Sequence, residues 1–278
     1  MAITTVTKAD GTAQPYERYK VMRTIRNYGI SEEQAESVLE EIEKRLYEGM
    51  RTRDVLKLIR SVGRKYKPAV AERTNVRRAI GMLRPKPDFE LYVRALLAGC
   101  GYEVGEGRIL QGRCGEHEVD AVARKGGITY FVEAKHHHNH HRMTGLDEGR
   151  IARAIVEDVQ EGYKEGRNHF TIDKAMIVSN TKLSDHAKRY ATCWDIKHIG
   201  WDHPAEENIA RMVADATLSP VTLIKGVNAR MRDRLVAANI VTVGQLLEHS
   251  PGELADMTGV AEGDMVVLVK RAGKVVDG

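Results

Sequence analysis

The stretch that most constrains the fold runs from Glu116 to His141, EHEVDAVARKGGITYFVEAKHHHNHH. Two runs of strand-forming residues flank Lys125-Gly126-Gly127, which predicts a β-hairpin. Side chains alternate along a strand, so Glu133 and Lys135 share one face while Val132 and Ala134 take the other. Asp120 falls on the preceding strand. Val119, Ala121, Tyr130, Phe131, Val132 and Ala134 mark the hairpin as largely buried, and charged groups on a buried hairpin call for partners or a metal. The same three residue types also occur on the solvated face of ordinary hairpins. Two carboxylates brought together repel unless a cation sits between them, and hard oxygen ligands with open positions suit Mg²⁺ or Mn²⁺. A lysine beside them can orient a water or stabilise charge on a phosphate, the parts that metal-assisted phosphodiester hydrolysis needs.

Just upstream, PDFELYVRALLAGCGYEV reads as a helix that supplies Glu90 as a third carboxylate. Helix Glu, then strand Asp, then E-A-K resembles the PD-(D/E)xK nuclease superfamily. FELYVRALLAGCGYEV followed by HEVDAVARKGGITYFVEAK is similar to its Mrr-like restriction endonuclease branch, over roughly Pro85 to Pro204. The resemblance implies an α/β (α+β) core of order αβββαβ. Its elements are expected as a helix from Glu90 to about Ala98, a strand over Tyr102 to Leu110, the hairpin, a helix over Leu146 to Gly162, a strand over Lys174 to Asn180, a helix over Ser184 to Cys193 and a strand over Ile196 to Gly200. It further implies that Asp120 and Glu133 bind Mg²⁺ or Mn²⁺ with the backbone carbonyl of Ala134, that Lys135 positions the attacking water, and that Glu90 supports a metal or the lysine. DNA held by its backbone is the implied substrate, and cleavage of both strands implies a homodimer or higher homo-oligomer.

Several neighbours stay open. The histidines at 136, 137, 138, 140 and 141 can form a transition-metal site or a polar loop beside DNA. Glu118, on the strand face of Asp120, can be a supplementary ligand or a salt-bridge partner. His117 matches the same family pattern, and Gln160 can line the cleft or lie on the surface. Two rival functions share these residues: a nucleotide-sensing DNA-binding protein that no longer cleaves, and a structure-selective repair nuclease such as a junction resolvase.

Ahead of the core, residues 1–84 read as a separate domain. ITTVTKADGTAQPY alternates around Asp10-Gly11 as a hairpin, and helices follow near Tyr19 to Tyr28, after Ser31, near Thr52 to Tyr66 and near Ala69 to Leu83. Ser31 with Gln34 forms a capping-box pattern. V-x-K-x-D-G with Tyr16, Lys20 and Ile25 resembles the ATP-cone, a nucleotide-binding regulatory domain of ribonucleotide reductases and their repressors. The resemblance implies ATP or dATP held at Lys8, Asp10, Gly11, Lys20 and Thr52; Ala9 stands where the family usually has arginine. Helices rich in Arg and Lys over Arg51 to Arg84 fit DNA binding as well. No P-loop pattern is present, so nucleotide would be sensed rather than hydrolysed.

RPKPD, Arg84 to Asp88, reads as a stiff linker. The nuclease domain is expected over 85–216 and a small all-α domain over 217–278. In the latter, Gly226-Val227 and Gly259-Val260 each lead into an amphipathic helix, which resembles a tandem helix-hairpin-helix module; Asn228 and Ala261 replace its second glycines. DNA contact and a structural or dimerising role are both open there. The chain has 278 residues with 42% hydrophobic and 29% charged composition, enough for more than one core, and its net charge of +4 permits a polyanionic partner without requiring one. No run is long enough to span a membrane, and the scattered Cys100, Cys114 and Cys193 form no disulfide framework, so a cytoplasmic protein is expected.

Overall fold

A computed structural model describes residues 4–277 apart from 9, 29, 73 and 140. The described chain divides into two compact units, one reaching Asn75 and resuming at Val266, the other running from Val76 to Met265.

In the first unit, alternation around the Asp10-Gly11 turn gives the antiparallel strands β1 (Thr5–Thr7) and β2 (Ala13–Pro15). Helix α1 (Arg18–Asn27) is followed by α2 (Glu32–Glu43), whose start is capped by the Ser31 side chain accepting from Gln34 N. Strand β3 (Met50–Arg51) pairs parallel with β1 and runs straight into α3 (Thr52–Tyr66). Ile25, Val38, Leu39, Ile42, Ile59 and Val62 close the core between these helices. The single helix expected over Ala69 to Leu83 is instead a 3₁₀ turn at Pro68–Ala71 and a short α4 (Val76–Gly81), which belongs to the second unit. Residues 72–75 between them offer nothing apolar to bury, and Thr74 and Asn75 carry side chains that compete with helical backbone bonds.

The second unit is built on α5 (Glu90–Gly99), β4 (Glu103–Gly105), β5 (Arg108–Gln111), β6 (Glu116–Val119), β7 (Ala121–Lys125), β8 (Ile128–Lys135), β9 (Met143–Thr144), α6 (Leu146–Lys164), β10 (Lys174–Ser179), β11 (Lys182–Leu183), α7 (Asp185–Cys193) and β12 (Lys197–Ile199). The main sheet has the order β12-β10-β8-β7-β4. β7 and β8 form the expected hairpin, closed by Lys125↔Ile128. Its two central residues, Gly126 and Gly127, sit at φ 60° and 78°, the positive values that a tight turn matched to strand twist requires. β8, β10 and β12 are parallel, joined by helices as parallel strands must be. α6 lays Ala152, Val156 and Val159 against Phe131, Ala175 and Ile177 of the sheet. Ser184 caps α7 by accepting from Ala187 N at 3.1 Å.

The strand expected over Tyr102 to Leu110 is broken in two. β4 pairs with β7, whereas β5 pairs with β6 in a separate ribbon. Gly107 lies at the crossing, where a side chain would sit 2.9 Å from the carbonyl oxygens of Val119 and Asp120. The bend between β6 and β7 falls on Asp120.

The remainder of the chain forms α8 (Ile209–Met212), α9 (Ala229–Ala237), α10 (Val243–Leu247), α11 (Pro251–Thr258) and α12 (Glu262–Asp277). The two Gly-Val steps do lead into α9 and α12, and capping boxes at Thr242/Gln245 and Ser250/Glu253 start α10 and α11. Residues 217–265 share one compact unit with the sheet. Tyr92 donates to Leu218 O at 3.1 Å and Thr222 to Ala79 O at 2.7 Å, while Arg232 pairs with buried Asp88.

Two glycine substitutions are expected to move stability in opposite directions. Gly107→Ala forces a methyl group against backbone and should cost at least about 1 kcal/mol. Gly273→Ala, inside α12 with its nearest neighbour an ordinary 3.9 Å away, should stabilise by about 0.5–1 kcal/mol. Denaturant unfolding followed by circular dichroism reads both, and equal signs would contradict the packing described.

Candidate active site

The bend at Asp120 turns its side chain toward β8. There Asp120 Oδ2 accepts from Ala134 N at 2.8 Å, and the residue keeps only 8% of its surface. The register Ala121↔Val132 places Asp120 across from Glu133, so two carboxylates face each other over the hairpin. Glu133 is half-buried, and desolvation, followed by the charge of Asp120, pushes its carboxyl up to about 7. Glu90, in the first turn of α5, is raised by the same two causes in the same order. The three acids expected from the sequence are thus brought into one electrostatic cluster, and each additional negative charge works against the others.

Lys135 follows on β8, on the same strand face as Glu133. Its ammonium pairs with Glu148 Oε1 at 2.9 Å, from the first turn of α6. A second lysine, Lys86, lies 3.1 Å from Glu90 Oε1, 3.0 Å from Glu118 Oε1 and 3.7 Å from Asp120 Oδ1. Glu118 therefore takes part in a salt bridge. Sequence reading missed Lys86 and Glu148. Lys86 stands four residues before Glu90, the spacing at which charged side chains meet, and that was the available signal; Glu148 carried none beyond its place in an acidic first turn.

Lys86 was concealed because RPKPD reads as linker. In the fold it is a clamped arch. Asp88 is fully buried, accepts from Arg84 N at 3.0 Å and Nε at 2.9 Å, and pairs with Arg232 Nε at 3.2 Å. A buried carboxylate is tolerable only when it is paired and hydrogen-bonded in this way.

The donor set fits a hard divalent cation. Asp120 and Glu133 offer carboxylate oxygen, Ala134 lies between Glu133 and Lys135 with its carbonyl, and an ammonium already occupies the acidic field. Among the described residues no group of three or more His, Cys, Asp or Glu side chains closes around one point. Asp120, Glu133 and the Ala134 carbonyl are the groups that could hold such an ion, with water completing its shell.

A cavity of about 670 Å³ opens beside these acids, lined by Glu90, Arg94, Gly107, Ile109, Glu118 and Asp120 among others. Arg94 Nε lies buried there without a hydrogen-bond partner.

Among the described residues the histidines form no metal-binding group. His136 Nε2 contacts Ile80 O at 3.1 Å, and its ring lies 5.1 Å from those of Phe89 and His138; burial drives it down to about 4. His137 N donates to Asn180 Oδ1 at 2.8 Å, and His138 Nδ1 lies 3.5 Å from Gly81 O. His140 lies outside the described residues, as does Ala9. His117 Nε2 lies 2.7 Å from Asp158 Oδ2, while Asp158 Oδ1 accepts from Cys114 N; these contacts hold the Asp158 carboxyl down at about 2. Gln160 ties the loop before β10, donating to Ile172 O at 2.8 Å.

Of the residues expected to hold nucleotide, Lys8 follows β1 and Thr52 follows β3. The parallel register Thr7↔Arg51 puts them at the same end of the three-stranded sheet. Asp10 is used locally, accepting from Thr12 N and Oγ1, with Gly11 at φ 86° in the turn. Lys20, on α1, pairs with Glu17, so a phosphate contact there requires that pair to open.

Residues 84–199 match the family model described as restriction endonuclease, Mrr_cat. A protein of Archaeoglobus fulgidus described as uncharacterized is 32% identical over 181 residues, which are 65% of this chain and 98% of that protein. A crystal structure described as a protein of unknown function aligns with a TM-score of 0.58 at 32% identity, over 68% of this chain and 97% of that one. Residues 84–199 are a restriction endonuclease domain of the Mrr type, in the PD-(D/E)xK class. The chain belongs to the same family as the archaeal protein. Among the described residues no helix is long and apolar enough to cross a membrane.

In the metal-free protein the Glu133 carboxyl is expected to titrate at about 7, against an ordinary 4.5. Because the folded-state value is raised, this group favours the fold at low pH, and that contribution is lost as pH rises from about 4.5 toward 7. Asp120→Asn removes one cause and should lower the midpoint, without restoring the ordinary value, since burial is the larger cause. Carboxyl ¹³C NMR titration reads both; an unmoved midpoint in the variant would count against the facing pair.

Proposed function

We propose that this chain is a metal-dependent DNA endonuclease whose cleavage centre is Glu90, Asp120, Glu133 and Lys135, and whose first unit senses ATP or dATP. The observation that carries the reading is the facing pair Asp120 and Glu133 beside Lys135, in a domain of restriction endonuclease type. The Asp120 charge adds to burial in raising the Glu133 and Glu90 carboxyls, so the site gains most from an ion that neutralises the acids.

Asp120 and Glu133, with the carbonyl of Ala134, would hold Mg²⁺ or Mn²⁺, which when bound supplies Lewis-acid polarisation of the phosphoryl oxygen and an acidified water. The chain's own groups do the rest. Ala134 N holds the Asp120 carboxylate in the orientation that faces Glu133. Lys135 orients the attacking water or meets charge developing on the phosphate, with Glu148 steering its ammonium. Glu90 would add negative charge that supports the metal or Lys135.

Lys8, Lys20 and Thr52, with the Asp10-Gly11 turn, would receive the nucleotide in the manner of an ATP-cone. The helical stretch from 217 onward would add backbone contacts to DNA at the N-termini of α9 and α12. Double-strand cleavage by this centre calls for two copies, and a homodimer supplies them. Nucleotide can bias activity only by its differential affinity for two packings of the first unit.

Cleavage of plasmid and branched DNA with Mg²⁺ or Mn²⁺, with and without ATP or dATP, tests the reading. Asp120→Ala and Lys135→Ala should each abolish cleavage, by 10³-fold or roughly more, while DNA binding persists; retained cleavage in either would sink the site. Branched against linear substrate separates repair from restriction chemistry. Lys8→Ala combined with Lys20→Ala should remove the thermal stabilisation by ATP, and a persisting shift would place the nucleotide elsewhere.

A further inference from the structure

Lys86 has no role in the cleavage chemistry above, yet its ammonium stands among three carboxylates. Its ammonium touches Glu90, at 3.1 Å, and Glu118, at 3.0 Å, and approaches Asp120 at 3.7 Å. The backbone that presents it is fixed from both sides. Two residues on, Asp88 is fully buried and bound by Arg84 and Arg232, and Arg232 also donates to Met82 O at 2.6 Å. The arch therefore returns the ammonium to the same place, and only side-chain torsions can withdraw it. Withdrawal is open to it, because 57% of the side chain is exposed, whereas Asp120 and Glu90 at 8% and 12% cannot follow.

We propose that Lys86 is a resident cation that competes with the divalent metal for Asp120 and Glu90, so that metal entry requires its ammonium to turn out toward solvent or an incoming DNA phosphate. The inference rests on the reading of Asp120 as a metal ligand. Two cations of total charge three cannot share acids this close at no cost, since like charges a few ångströms apart near a protein surface repel one another. The metal-free protein keeps its acids neutralised, at the expense of intrinsic metal affinity.

The test is calorimetric titration of the full chain with Mn²⁺ and no DNA. Lys86→Met is expected to bind Mn²⁺ on the order of tenfold more tightly than the unaltered chain. Lys86→Gln, which keeps length and polarity and guards against a folding defect, should gain similarly, whereas Lys86→Arg should keep the original affinity. Unchanged or weaker binding by both neutral variants overturns the competition. Asp120→Ala is titrated alongside. If it binds Mn²⁺ as tightly as the unaltered chain, the assignment of Asp120 falls and takes this inference with it; if it loses binding while the Lys86 variants gain none, only the role of Lys86 fails.

Discussion

The hydrogen bond from Ala134 N to Asp120 Oδ2 is the contact on which the site depends. It forms because the chain bends at Asp120 between β6 and β7, so that a carboxylate at the end of one ribbon reaches the backbone of the neighbouring strand. A straight strand would leave that side chain on the pleat, pointing along the alternation. The bend in turn requires Gly107, since any Cβ there would strike the carbonyls that the bend presents. One glycine, one bend and one hydrogen bond set Asp120 against Glu133.

Burial then fixes the chemistry. A solvated pair of carboxylates would keep ordinary pKa values and attract a cation weakly. Here desolvation is the larger cause for both Glu133 and Glu90, with the charge of Asp120 added to it. The lysines answer this field from opposite ends. Lys135 is tethered to Glu148 on α6, and Lys86 is presented on an arch that depends on a residue nearly 150 positions later in the chain, Arg232.

Most of the local structure that carries the candidate site was legible in the sequence. The Gly-Gly turn, the alternation of Glu133 and Lys135 and the helix before them are local signals, and short-range periodicity reports those well. The Leu146 helix, the strand at Lys174 and the cap at Ser184 were legible for the same reason. What stayed hidden was long-range. Nothing near Lys86 says that a Pro-rich segment will be held down by a buried Asp88, because its partner Arg232 lies in a stretch that reads as a separate module. The break at Gly107 was hidden likewise, since strand propensity continues through Ile109 and only the approach of Val119 and Asp120 explains it.

That dependence changes how the helices from 217 onward should be understood. Asp88 is fully buried, and a charge there without its arginines would carry a desolvation penalty that the fold could not easily offset. Arg84 is local and comes with the arch, but it is itself 42% exposed and free to solvate elsewhere. Arg232, at 14%, is the partner whose position the fold itself determines, and α9 determines it. The helix that begins at a Gly-Val step therefore helps to fix the segment from which Lys86 and Glu90 project. Whatever else those helices contact, their packing is already part of what holds the acidic centre in shape.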